Sequence, residues 1–192
     1  MTPQTAIPEK RSEPHLWLFS AEDYQKMRAI FLGKPRVELI DGQIIMMSPM
    51  GPLHNSQVDK LLYHLYQMFS DEAQLRIQGS IRIDDFSEPQ PDIALLKLRA
   101  DKYKNKLPTG KDIHLLVEVA VESADYDRTV KTKKYATAGV PEYWIVLPEL
   151  EQIEVYRQPQ GDAYLQKQTY RRGDSWTFEA FQLAIKAADI LV

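Results

Sequence analysis

Apolar residues along this chain fall into runs whose spacing changes several times, and each change marks an element. Ser20-Ala-Glu-Asp23 has the form of a capping arrangement and precedes Tyr24, Met27, Ile30 and Phe31, so a short helix is expected there, stopped by Gly33 and Pro35. VELI at 37 to 40 and QIIMM at 43 to 47 are β-type runs joined by Asp41-Gly42, a strong hairpin signal. After a loop with Pro49, Gly51 and Pro52, the positions Val58, Leu61, Leu62, Leu65, Met68 and Phe69 recur at helical spacing. They predict a helix from about His54 to Phe69 with one face against a sheet.

Residues 74 to 83, QLRIQGSIRI, alternate as a half-exposed strand does, and Asp84 to Gln90 read as a turn region. Pro91-Asp92-Ile-Ala-Leu-Leu96 is a strand opened by a proline, where the missing donor is tolerated. IHLLVEVAV at 113 to 121 is almost continuously apolar, the pattern of a central strand covered on both faces. A helical stretch from about Tyr126 to Ala138 stops at Gly139 and Pro141, and EYWIVL at 142 to 147 follows as a strand. Strand, helix, strand favours a parallel pair, whereas IEVYR at 153 to 157 and the AYLQKQTY region add antiparallel strands. The expected fold class is α/β (α+β): a mixed β-sheet flanked by helices, preceded by an N-terminal helix and a β-hairpin.

A chain of 192 residues suits one domain able to bury its own core. With no repeat, low-complexity tract or linker in view, a single domain is expected over residues 16–192, and the polar, proline-containing residues 1–15 read as a flexible leader. The absence of cysteine excludes a disulfide framework, a thiolate zinc site and a cysteine nucleophile. No apolar run approaches the roughly 20 residues a bilayer demands, so no membrane partner and a cytoplasmic location are expected.

A net charge of −3 and a pI near 5.8 give no global pull toward a polyanion. A local one exists. Lys97, Arg99, Lys102, Lys104, Lys106 and Lys111 share a stretch with Pro108 and Gly110 that reads as a mobile basic loop, either solvated or in contact with phosphate. The chain has no Gly-rich phosphate loop, no zinc-type histidine spacing and no G-x-S-x-G elbow.

The candidate chemistry is carried by acids in strands. Glu118 shares a pleat face with Leu116 and Ala120, so its carboxylate points into an apolar layer and demands a metal ion, lysine or arginine as partner. Asp92 alone is an ordinary turn aspartate. Paired with a carboxylate from a neighbouring strand, it resembles what Mg²⁺ receives from a protein, water and phosphate filling the other positions. Lys131 lies in the helix after the Glu118 strand, where its long arm can return to the strand end and offset charge on a phosphate. Lys133 and Lys134 are rivals for that place. Tyr143, Trp144, Tyr156 and Trp176 are expected in the core rather than stacked on bases.

Taken in order, VELIDG at 37 to 42, His54 opening a helix, PDIALL at 91 to 96, LLVEVAVES at 115 to 123 and DRTVKTKKYATAGVPEYWIV at 127 to 146 resemble the Uma-type restriction endonuclease family. That family is similar to a branch of the PD-(D/E)XK nuclease superfamily, and the resemblance spans roughly residues 20 to 190. It implies a restriction-endonuclease-like core with Asp92 and Glu118 as ligands of Mg²⁺, or of Mn²⁺. The superfamily's usual lysine, two residues beyond the glutamate, is Ala120 here, and the resemblance moves that role to Lys131. Glu38 matches a further acidic member of the site, for a second metal or a ligand hydrogen bond, and His54 a position near substrate phosphate or water. Leu147 stands where relatives usually carry aspartate, and Ala120-Val121-Glu122 replaces a Leu-Ser-Pro. The function implied is endonucleolytic hydrolysis of DNA before RNA, by a homodimer. The alternative is a catalytically idle module of the same fold that binds nucleic acid or a protein partner.

Overall fold

The computed structural model describes residues 16–33 and 35–192; the leader expected over residues 1–15 lies outside the described residues. Ser20 and Asp23 cap each other. Asp23 N donates to Ser20 Oγ (3.1 Å), while Ser20 N and Oγ donate to Asp23 Oδ2 at 3.2 and 2.7 Å. They start α1 (Ala21–Met27), which tightens into a 3-10 turn over Arg28–Phe31. β1 (Val37–Ile40) and β2 (Gln43–Met46) then pair antiparallel through Asp41 and Gly42, both at positive φ, 50° and 74°, as a primed hairpin turn requires. A Cβ at Gly42 would also lie 2.7 Å from Leu18 Cβ, so glycine is needed there twice over.

α2 (Pro52–Phe69) opens with Pro52 in its first turn, two residues before His54, and buries Gln57, Val58, Leu61, Leu65 and Phe69. It covers a six-stranded sheet of β3 (Ala73–Ile77), β4 (Ile93–Lys97), β5 (Ile113–Val119), β6 (Glu142–Leu147), β7 (Gln152–Gln160) and β8 (Ala163–Arg171), in that order. Only β5 and β6 run parallel, joined by the expected helical crossover. That crossover is α3 (Ala124–Tyr126), a π turn over Asp127–Lys131 and α4 (Thr132–Thr137). A second hairpin, β9 (Ser175–Phe178) with β10 (Leu183–Lys186), and the short α5 (Ala187–Ile190) complete the fold.

Strand alternation sorts the core into two layers. Leu115, Val117 and Val119 of β5, with Trp144 and Val146 of β6, pack under α2, β9, β10 and α5. Leu116 and Ala120 pack on the other face with Tyr143, Ile145 and Tyr135 of α4. Tyr143, Trp144, Tyr156 and Trp176 are all buried in these layers, as expected. Among the described residues no helix is long and apolar enough to cross a membrane.

Two segments differ from expectation. The alternating stretch at 74 to 83 ends as a strand at Ile77: Gln78 turns to φ 48°, its N–H donates to Asp92 O (3.0 Å), and Ile81 drops into the second core layer. Alternation persisted because Ile81 is still buried, although its backbone pairs with Pro89 instead of a strand. The basic stretch after β4 is anchored rather than loose. Tyr103 is buried, donates from its hydroxyl to Lys97 O (2.8 Å) and lies beneath the guanidinium groups of Arg76 and Arg99. Thr109 and Asp112 close a capping box at its far end.

Candidate active site

β4 and β5 are in register with Ala94 opposite Leu116, so two residues further along the same pleat Asp92 comes beside Glu118. Both are nearly inaccessible, 5% and 4% exposed. Asp92 Oδ2 accepts from Val119 N (2.9 Å) and contacts His54 Nε2 at 3.1 Å. Pro91 and the break at Gln78 put this carboxylate at the sheet end, and the early turn of α2 brings His54 over it. The hydrogen bond to Asp92 raises the His54 pKa above its ordinary value, with burial opposing it.

Glu118 Oε1 accepts from Lys131 Nζ (2.9 Å) and from Tyr135 OH (2.7 Å). Lys131 Nζ also lies 3.3 Å from Glu38 Oε2, which accepts from Gln90 N (3.2 Å). Glu38 arrives because its hairpin docks on the 84–90 turn, with Glu88 N donating to Leu39 O (2.8 Å) and Gly42 N to Phe86 O (2.8 Å). All four predicted site residues, Glu38, Asp92, Glu118 and Lys131, thus meet at one place. The other lysines do not: Lys134 pairs with Asp41 and Asp84, and Lys133 is exposed.

The lysine that enters is carried by a π turn. Thr132 N–H bonds Asp127 O, one residue further back than in an α-helix, and Thr132 Oγ1 donates to the same oxygen (2.8 Å). Asp127, Lys131 and Tyr135, spaced by four, come to one face above Glu118. Asp127 is only 2% exposed and accepts from Ser123 Oγ (2.6 Å). It was not a sequence candidate, yet its spacing from Lys131 and Tyr135 was the signal. Tyr135 was missed for the same reason. The Tyr126 hydroxyl is buried beside them with no partner among the described residues.

Four buried carboxylates therefore surround one ammonium. Burial pushes the Glu118 carboxyl up to about 8 against the pull of Lys131, and burial likewise raises Asp127. Burial works to lower Lys131, but the carboxylates of Glu118, Glu38 and Asp127 outweigh it and hold the ammonium above its ordinary range. These groups form the floor of an open cleft of about 640 Å³, whose walls add Glu122 and Glu149 and, among the described residues, one more strong cation, Arg36. None of the basic stretch from Lys97 to Lys111 lines it.

Among the described residues no three His, Cys, Asp or Glu side chains form a ready metal cage. The donor set still fits a hard cation such as Mg²⁺, which takes one or two carboxylates and keeps water for its remaining positions. The protein's hydrogen bonds fall on Oδ2 of Asp92 and Oε1 of Glu118, leaving each carboxylate its other oxygen for a cation.

Comparison with known proteins agrees with this architecture. The crystal structure of a "putative nuclease belonging to DUF820" from Anabaena variabilis superposes with a TM-score of 0.68, covering 81% of this chain and 89% of that one at 15% identity. No curated protein matches. Residues 21–188 match the Uma2 family, described as "Putative restriction endonuclease", and by that match over most of its length the chain belongs to the Uma2 family.

Proposed function

We propose that this protein is a metal-dependent endonuclease that hydrolyses phosphodiester bonds of nucleic acid, DNA before RNA. The observation that carries the reading is the meeting of Asp92, Glu118 and Lys131 at the floor of one open cleft, fed by two neighbouring strands and the crossover helix. The family and the nuclease neighbour support it.

Asp92 and Glu118 are the residues that hold Mg²⁺ or Mn²⁺, and the bound ion supplies Lewis-acid stabilisation of charge on the phosphoryl group. Lys131 orients the attacking water and offsets negative charge that develops on the phosphate. Glu38 and Glu118 keep its ammonium charged and in place, and Tyr135 fixes Glu118 from behind. His54 orients Asp92 and, when protonated, faces the phosphate with a positive charge. A homodimer, one cleft per strand, is the assembly that goes with this reading.

A second reading has its own support: Lys131 is already satisfied by Glu118 and Glu38, as in an idle fold that keeps an internal ion-pair network. Cutting of supercoiled plasmid with Mg²⁺ or Mn²⁺ separates the two. The nuclease reading predicts nicked and linear product from the wild type and none from Asp92→Ala or Lys131→Ala. No cutting of plasmid, single-stranded DNA or RNA by the wild type would favour the idle module.

A further inference from the structure

The mouth of the cleft is of different chemistry from its floor. Met46, Met50 and Leu53, from the end of β2 through the first turn of α2, line it and are 71%, 37% and 37% exposed. Apolar side chains exposed together beside polar groups mark an interaction surface.

This wall is held in place. Met50 Sδ accepts from Arg36 Nη1 (3.2 Å) and Gln78 Nε2 (2.8 Å). Gln78 is the residue that breaks the alternating strand, and its own N–H is bonded to Asp92 O. One residue thus fixes the methionine relative to the floor carboxylate.

We propose that this methionine-rich segment is a base-contacting wall, so that the cleft takes one strand unpaired, with a base lifted against Met46, Met50 and Leu53. The inference rests on the nuclease reading and names its substrate form. Four arguments support it. A duplex presents phosphates along both strands, and among the described residues this cleft sets six acidic side chains against Arg36, Lys131 and His54, so a locally unpaired strand is accommodated better than a paired helix. An unpaired strand needs a single phosphate over the floor and can turn an uncharged base face to the wall. Methionine and leucine are side chains that proteins wedge against unstacked bases, and methionine adapts to any of the four. The volume, about 640 Å³, is that of a small-molecule site and accommodates a nucleotide or two within the cleft. Tyr143, Trp144, Tyr156 and Trp176 are buried in the core and Tyr126 lies half-buried in the lining, so Met46, Met50 and Leu53 are the large exposed apolar side chains at the mouth.

The test uses one DNA sequence containing 2-aminopurine as a single strand, a continuous duplex and a duplex with a central unpaired bubble. Binding is followed by anisotropy and 2-aminopurine fluorescence with Ca²⁺, and cutting with Mg²⁺. Single strand and bubble are expected to bind about tenfold tighter than duplex, with a change in 2-aminopurine emission. Met46→Ser/Leu53→Ser, which removes two exposed side chains, is expected to lose most of that preference while melting like the wild type. Adding Met50→Ser removes the rest. Equal or tighter binding of the duplex, a preference unchanged in these variants, or no binding of any form overturns the wall. Equal cutting of all three substrates overturns the wall and leaves the nuclease reading standing, whereas the binding preference without cutting leaves the wall and removes the nuclease.

Discussion

Lys131 holds together groups that would otherwise repel. Its Nζ lies within 3.3 Å of both Glu118 and Glu38, and all three side chains are almost fully buried. Removing one partner of such a cluster leaves a carboxylate that is almost fully buried and lacks its cation, which costs about 3–5 kcal/mol. Lys131→Met is therefore expected to lower unfolding free energy by that order at pH 8, and by less at pH 5, where the carboxyls take up protons. Urea titrations at the two pH values read the difference, and Lys131→Met/Glu118→Gln should recover part of the loss because it no longer buries an unpaired charge. Glu118 was legible in the sequence because a lone acid in an apolar strand has no cheap explanation. Asp127 was harder to read, because in DRTVKTKK it is one polar residue among many, and its spacing of four from Lys131 and Tyr135 is the one mark that sets it apart.

At the scale of elements, the long periodic segments were readable and the places where tertiary contacts rewrite local pattern were not. The hairpin at Asp41-Gly42, helix α2, the central strand β5 and the parallel β5–β6 pair follow from turn chemistry and apolar spacing. The π turn has no compositional mark, since Thr132 would serve equally in an α-helix. Spacing favours Lys131 over Lys133 and Lys134 only slightly, and it is the family resemblance that singles it out. The strand break at Gln78 was hidden because a buried Ile81 keeps the alternation going. Another constraint on the crossover helix comes from Gly110, where a Cβ would lie 1.8 Å from Ala138 O just beyond the end of α4. Gly110→Ala must displace backbone, so a destabilisation of about 1–3 kcal/mol or more is expected. Because α4 continues the turn that carries Lys131, its cutting rate should fall as well; urea midpoint and plasmid nicking measured together check this.

Across the whole molecule, the sheet keeps apolar layers on both faces, and four buried acids, Glu38, Asp92, Glu118 and Asp127, gather at one end of it under an open cleft. A mild net charge of −3 conceals this concentration. The pH consequence has a definite sign. Glu118 has its folded pKa raised from the ordinary 4.5 to about 8, so its contribution to stability is complete below about 4.5 and is lost as pH rises through about 8. Asp127, also raised, adds in the same direction. Metal-free protein is thus expected to lose stability from this site between pH 5 and pH 8, and Glu118→Gln to lack most of that slope. A divalent ion held by Asp92 and Glu118, as proposed, would compete with the proton for the same oxygens, so stabilisation by Mg²⁺ is expected to grow with pH across this range. Thermal melts of wild type and variant with EDTA or Mg²⁺ measure both.

The most direct measurement of the central claim is the rate of plasmid nicking as Mg²⁺ is titrated, with wild type, Asp92→Asn and Glu118→Gln at matched concentration. Saturable cutting by the wild type, abolished by EDTA, is expected. Both variants should lose at least about a hundredfold in rate, as removal of a group stabilising transition-state charge does. Cutting that is independent of the ion, or that survives unchanged in both variants, would contradict it.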